Sequence, residues 1–159
     1  RNAVADAADR AQQAEVDLGV TQVDALRINA QPEALRMALR NLVDNALKYT
    51  PAGGQVDVAV LPWADGGAQI VVDDSGPGIA PAQRATVLQR FRRGHAHTSD
   101  RSDGAGAAVP GSGLGLAIVA AVARQHGAQL VLDTAPTLGG LRVALQFSAQ
   151  DVQAGTPLP

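Results

Sequence analysis

The stretch Glu33-Ala34-Leu35-Arg36-Met37-Ala38-Leu39-Arg40-Asn41-Leu42-Val43-Asp44-Asn45-Ala46-Leu47-Lys48-Tyr49 decides how the rest of the chain is read. Pro32 opens it and Thr50-Pro51-Ala52-Gly53-Gly54 stops it. The periodicity predicts a helix over about 33–49 carrying two adjacent stripes. Leu35, Leu39, Leu42, Ala46 and Tyr49 form an apolar stripe that buries against a sheet. One residue earlier runs a second stripe of Ala34, Ala38, Asn41, Asn45 and Lys48. Both amides and the ammonium therefore share one side of the helix, about 5–6 Å apart. Asn inside a helix costs about 0.5 kcal/mol relative to better formers, because its amide competes for backbone hydrogen bonds. Such a stripe fits a solvated polar face. It fits equally a ligand-facing one, since an Asn carbonyl is a hard oxygen donor suited to Mg²⁺ and Lys is a point charge suited to phosphate.

Lys48 is the only lysine among 13 basic residues, which stand against 15 acidic ones for a formal charge of −2. That balance argues against a general nucleic-acid footprint. Hydrophobic residues make up 46% of the 159 and aromatics only 3%, so the expectation is one domain with an aliphatic core. With no cysteine there is neither a disulfide framework nor a thiolate metal or redox site. The chain begins at Arg1 inside an Ala-rich helical pattern, and reads as a piece of something longer. Gly104 to Ala123 carries no charge, but its glycines and Pro110 read as a loop feeding a buried helix rather than a membrane span.

Outward from the helix, residues 2–15 read as a helix, and Leu18 to Val23 and Leu26 to Ile28 as short strands. Val56, Val58 and Val60 alternate with Asp57 and Ala59 as a half-buried strand should. Asp65-Gly66-Gly67 turns it into a second strand over 68–73, a hairpin. Helices are expected over about 82–91 and 114–125, the latter ending at His126-Gly127. Leu130 to Leu132 and Leu141 to Phe147 form a last strand pair around Gly139-Gly140. This order predicts an α+β class, a two-layer sandwich with a mixed, mainly antiparallel sheet of about five strands covered by about three helices. Residues 94–112 form a long loop without periodicity, of the kind that serves as an active-site lid. The domain boundaries expected are a helical lead-in over 1–16, the main domain over 17–150, and a disordered tail over 151–159.

Asp73-Asp74-Ser75-Gly76-Pro77-Gly78-Ile79 follows a strand directly, and Pro77 with Gly78 favours a type II turn. An ordinary strand-to-helix turn has the same sequence. The feature that stands out is the Asp74 carboxylate held at the strand end, able to accept from the adenine amino group while repelling the guanine carbonyl. Gly111-Ser112-Gly113-Leu114-Gly115-Leu116 opens the last long helix, where backbone N–H groups can approach phosphate. A dinucleotide fold wants a strand immediately before such a motif, where Ala105 to Pro110 reads as loop, and no Walker Lys-Ser/Thr follows, which excludes a P-loop. Arg90, Arg92 and Arg93 suit a helix C-terminus. His95 and His97 could chelate a metal with Asp100 or Asp103, but the loop context and the lack of cysteine speak against it, and His126 is a helix-end residue.

In order and together, these segments resemble the catalytic ATP-binding domain of bacterial two-component sensor histidine kinases, within the superfamily that includes gyrase, mismatch-repair and heat-shock chaperone ATPases. Asn41 through Pro51 looks like the family's N box, and Asp74 through Gly78 like its first glycine box. Phe91-Arg92-Arg93-Gly94 looks like its F box and Gly111 through Leu116 like its second glycine box. The resemblance implies that Asn45 is the Mg²⁺ ligand and that Asn41 and Lys48 face the phosphates. It implies that Asp74 reads adenine, with Gly76 and Gly78 shaping the pocket and Ile79 and Tyr49 lining it. Gly111, Gly113, Leu114, Gly115 and Leu116 would carry the phosphate-binding end of an ATP lid over 94–112, with Arg93 reaching the γ-phosphate.

Hydrolysing relatives place a Glu base four residues before the metal-binding Asn. Here Asn41 stands there, and an amide takes no proton from water at neutral pH. The implied function is therefore a protein-histidine kinase domain that binds ATP and Mg²⁺. It would donate the γ-phosphoryl group to a histidine on a separate dimerisation/phosphoacceptor domain, feeding a response regulator. No nucleophile or base is expected within the chain. It is expected to be monomeric, without nucleic-acid or direct membrane contact, and cytoplasmic within a parent in the bacterial inner membrane. The rival readings are a clamp ATPase of the same superfamily and a non-catalytic nucleotide-sensing module.

Overall fold

The computed structural model describes residues 2–24, 26–92 and 114–154. Two short helices, α1 (Asn2–Ala5) and α2 (Ala8–Gln13), lead into strand β1 (Asp17–Val23) and the short β2 (Leu26–Ile28). Helix α3 (Pro32–Tyr49) is followed by the hairpin β3 (Gln55–Trp63) and β4 (Gly67–Asp74). Then come α4 (Pro81–Arg92), α5 (Leu114–Gln125), β5 (Gln129–Thr134), β6 (Leu141–Phe147) and β7 (Val152–Ala154).

Five strands make one mixed sheet in the order β1-β3-β4-β6-β5, with β1 parallel to β3 and every other pair antiparallel. The α+β sandwich read from the sequence is the observed one. Strand alternation explains the layers. Val56, Val58, Val72, Leu145 and Phe147 point to the face where Leu42, Val43 and Val119 of the helices meet them, and all are buried. Ala59, Val71 and Ala144 form a smaller cluster of their own. β4 is central and its eight residues are all buried, which is why its sequence reads as an almost continuous apolar run before the two aspartates.

Local chemistry sets the ends of α3. Pro32 sits in the first turn, where its missing N–H costs nothing. At the other end Thr50 turns extended before Pro51, and its hydroxyl donates to the Ala46 carbonyl at 2.8 Å.

The helix expected over 2–15 is instead two pieces broken at Asp6-Ala7. Ala3, Ala7, Ala11 and Val16 are buried, and Glu15 at φ 55° turns the chain so that Val16 dips beneath α2. Arg10 holds α2 to α3 through Asp44, with Nε donating to Oδ1 at 2.9 Å. Both side chains are about two-fifths exposed, so that pair contributes at most about 1 kcal/mol.

A correction concerns the tail. Residues 151–159 read as disordered, yet Val152–Ala154 pairs antiparallel with Leu26–Ile28, and Asn29 N–H donates to the Asp151 carbonyl at 2.7 Å. A three-residue strand has no periodicity to announce it, because its partner lies more than a hundred residues away. The lid expected over 94–112 and residues 155–159 lie outside the described residues. Among the described residues no helix is long and apolar enough to cross a membrane.

Candidate functional site

α3, α5 and the sheet enclose a cavity of about 120 Å³, lined by Leu42, Asn45, Ala46, Tyr49, Val72, Asp74, Pro77, Gly78, Leu116, Leu141 and Val143. Its walls are aliphatic, and Asn45, Tyr49 and Asp74 bring the polar groups. The apolar stripe of α3 therefore does two jobs: Leu42 and Ala46 both reach the core and wall the cavity.

Asp74 is buried at the end of β4. Its Oδ1 accepts from the Gly76 N–H at 2.9 Å and the Leu141 N–H at 3.1 Å. Its Oδ2 has no protein donor among the described residues, which leaves one acceptor for a ligand in a mostly apolar cavity. Burial pushes this carboxyl above its ordinary value against the pull of the Leu141 and Gly76 amides, and the charge of Asp73 adds a smaller push. Asp73 itself turns to the other side of the sheet. There Arg142, directly opposite in register, grips it with two hydrogen bonds of 2.7 and 2.6 Å.

Two glycines make this arrangement possible. Gly78 has φ +69°, a backbone conformation that side chains disfavour, and packs against Gly140. Gly140 lies so close that a Cβ there would meet the Asp74 carbonyl oxygen and would stand 2.7 Å from the Gly76 nitrogen. The sequence marked Gly139-Gly140 only as a turn, and nothing local in it links position 140 to Asp74.

The Asn stripe is not wholly solvated: Asn41 and Asn45 are half-buried while Lys48 is exposed. A Cβ on Gly115 would lie 3.1 Å from both amide atoms of Asn45 and 3.4 Å from Asn41 Oδ1, so the first turn of α5 packs directly on the stripe. Asn41 donates Nδ2 to the Met37 carbonyl at 2.8 Å. Asn45 is half-buried, and its amide makes no hydrogen bond among the described residues. The Lys48 ammonium sits 5.3 Å from the centre of the Tyr49 ring, whose residue lines the cavity.

The structure thus brings Asn45, Tyr49, Asp74, Gly78 and Leu116 onto the cavity and Asn41, Lys48, Gly76 and Gly115 beside them. Ile79 is not in the lining; it packs on the edge of the core. Leu114 begins α5. Arg93, Gly111 and Gly113 lie outside the described residues. Pro77, Val72, Leu141 and Val143 join the cavity without having been singled out. The Pro77 turn was the one signal among them, whereas the strand residues are placed by sheet register.

A two-layer sandwich with a carboxylate at a strand end and an amide-bearing helix across an apolar cavity defines a nucleotide-binding domain. The sequence profile of the Histidine kinase-, DNA gyrase B-, and HSP90-like ATPase family matches residues 30–151, and the chain belongs to that family. It is 44% identical over 126 residues, 79% of this chain, to the signal transduction histidine-protein kinase/phosphatase MprB of Mycobacterium avium, of which it spans 22%. It superposes on the solved mycobacterial sensor histidine kinase MprB with a TM-score of 0.70 at 32% identity, covering 99% of this chain and 95% of that one. Against full-length ShkA, solved in complex with AMPPNP, the TM-score is 0.74 at 26% identity, covering 99% of this chain and 30% of that one. Within the family the chain is the ATP-binding catalytic domain of a two-component sensor histidine kinase.

Proposed function

We propose that the chain binds Mg-ATP with adenine in the described cavity. It then donates the γ-phosphoryl group to a histidine on a separate dimerisation/phosphoacceptor domain of the same protein, which feeds a response-regulator receiver domain. The observation that carries this is the Asp74 carboxylate, pinned through Oδ1 and open at Oδ2. The adenine amino group supplies the donor that Oδ2 lacks, and the aliphatic walls take the ring faces. The AMPPNP bound by the similar ShkA supports an adenine nucleotide as the ligand.

Asn45 fits Mg²⁺, because its half-buried amide oxygen is uncommitted among the described residues and Mg²⁺ takes few protein ligands when phosphates accompany it. Bound there with the phosphates, the ion supplies charge neutralisation. Lys48 adds a cation on the same side, and the N-terminal end of α5, whose Gly115 packs on Asn41 and Asn45, brings the partial positive charge of a helix start to the phosphate end. Arg93, Gly111 and Gly113 complete the phosphate end by resemblance to the family. Asn41 presents no base, and none is needed, since a neutral imidazole nitrogen is already nucleophilic. The chain's contribution to the transfer is to position the γ-phosphoryl group and balance its charge. The relatives are sensor kinases, which supports a parent anchored in the bacterial inner membrane with this domain in the cytoplasm.

Incubated alone with γ-labelled ATP, the chain is expected to remain unlabelled, with label appearing only on an added phosphoacceptor domain. Stable self-labelling overturns the assignment, and steady phosphate release by the chain alone favours a clamp ATPase. Lys48→Ala is expected to weaken ATP binding about tenfold while adenosine binding changes less than about twofold. Calorimetry with the two ligands reads the difference; equal losses on both would remove Lys48 from the phosphate end.

A further inference from the structure

Arg84 belongs to none of the motifs above, yet its side chain is only 16% exposed and its guanidinium is spread over three acceptors. Nε donates to the Ile79 carbonyl at 3.0 Å, Nη1 to Asp133 Oδ1 at 2.9 Å, and Nη2 to Thr134 Oγ1 at 2.6 Å. Asp133 Oδ1 also accepts the Thr134 N–H at 2.7 Å, so the far end of this bridge is itself fixed. Ile79 is the residue after Gly78, which lines the cavity. Thr134 closes β5 and begins the turn that ends at Gly140, a turn tightened by Ala135 N–H on the Gly140 carbonyl at 2.9 Å. Arg84 therefore ties loop 75–80 to the end of β5, the strand from which the turn to Gly140 starts, and the two segments meet at Asp74 through Gly78 and Gly140.

We propose that Arg84 is a positioning residue for the adenine subsite, holding the loop that follows Asp74 against the end of β5, where the turn to Gly140 begins. It never touches the ligand. Its fork sets the separation of Gly78 from Gly140 and with it the aim of the Asp74 carboxylate. Lysine cannot replace it fully, because an ammonium on a flexible stem does not hold three acceptors in fixed directions. The inference rests on the reading of the cavity as the adenine pocket, and the test separates the two.

Affinities of the 159-residue chain for adenosine and ATP are measured by calorimetry for Arg84→Ala, Arg84→Lys, Thr134→Val and Asp74→Asn, with melting temperatures alongside. Arg84→Ala is expected to weaken both ligands about tenfold, because the defect is at the base end. The ATP-to-adenosine ratio stays unchanged. Arg84→Lys recovers part of the loss, and Thr134→Val, which removes one of three acceptors, loses a few-fold. A lowered melting temperature with both affinities intact makes Arg84 merely structural and overturns the proposal. So does a loss confined to ATP. Should Arg84→Ala fail to fold, Thr134→Val carries the test with the same outcomes. If Asp74→Asn leaves adenosine binding unchanged, the pocket reading falls and Arg84's role falls with it. If Asp74→Asn abolishes binding while the Arg84 variants bind normally, only the role of Arg84 is lost.

Discussion

Asp74→Asn is expected to abolish adenine-nucleotide binding, by at least about 100-fold, while the domain remains folded. The substitution keeps the shape and keeps an oxygen to accept from the Gly76 and Leu141 N–H groups, so the backbone bonds that close the loop survive. The atom replacing Oδ2 becomes an NH₂. It then faces the adenine amino group donor to donor, in a cavity whose aliphatic lining offers little in exchange. Binding loses an acceptor and gains a repulsion.

The same change has a stability signature with a definite sign. Burial raises the Asp74 carboxyl above its ordinary value, so the folded protein holds that proton more tightly than the unfolded chain does. The associated stability is full in acid, below the unfolded carboxylate value, and is lost as pH rises through the folded value. Above the unfolded carboxylate value the buried Asp74 carboxyl is therefore a cost to the fold that Asn does not carry. Asp74→Asn is expected to be at least as stable as the parent at pH 7, and to decline less between acid and neutral pH. Urea midpoints at two pH values, with calorimetric titration of ATP, measure both effects. Retained affinity, or a variant destabilised at pH 7, would contradict this account of the carboxylate.

Gly140→Ala is expected to have the second large effect, although it adds a single methyl group. That methyl meets the Asp74 backbone oxygen and Oδ1 and lies 2.7 Å from the Gly76 nitrogen. None of these atoms is the free end of a flexible side chain. Oδ1 is fixed by two backbone donors, and the Asp74 oxygen belongs to the sheet's central strand. Relief therefore requires β6 to move away from β4 or the carboxylate to turn out of the cavity. Overpacking of this kind costs about 1–3 kcal/mol of stability. A carboxylate turned out of the cavity leaves the adenine amino group without its acceptor, a loss of about 1–3 kcal/mol, or about 10- to 100-fold in affinity. The neighbouring Gly139→Ala is the control: an added methyl meets nothing within 4 Å, and only its φ of +79° is strained. It is expected to cost about 1 kcal/mol and leave nucleotide affinity intact. Equal affinities for the Gly140→Ala variant and the parent would show that contact with Asp74 does not aim the carboxylate.

Sequence alone determined the features whose causes are local. The 3.6-residue period of α3, its Pro32 start and its Thr50-Pro51 stop placed the helix within one residue of its observed start and at its observed end. Alternation in β3 and the Asp65-Gly66-Gly67 turn placed the hairpin. The order of the Asn stripe, the Asp74 turn and the glycine-rich start of α5 sufficed to indicate family and function. What the Asn stripe faced was open, because a helix period gives a direction and not a neighbour. Only the approach of Gly115 decided it.

The remaining features depend on residues far apart in the chain. The Leu141 N–H that fixes Asp74 is 67 positions from it, and the Arg84 fork reaches across 49 and 50 positions to Asp133 and Thr134. Val152–Ala154 becomes ordered strand only because Leu26–Ile28 lies there to pair with it. A residue's own propensity and its immediate neighbours carry no record of such partners. Sheet register chooses them, and it is set when the core closes over Val56, Val72, Leu145 and Phe147. The sequence thus singled out Asp74 as the carboxylate proposed to read a nucleotide. The tertiary structure decided which of its oxygens is held by backbone donors and which has none among the described residues.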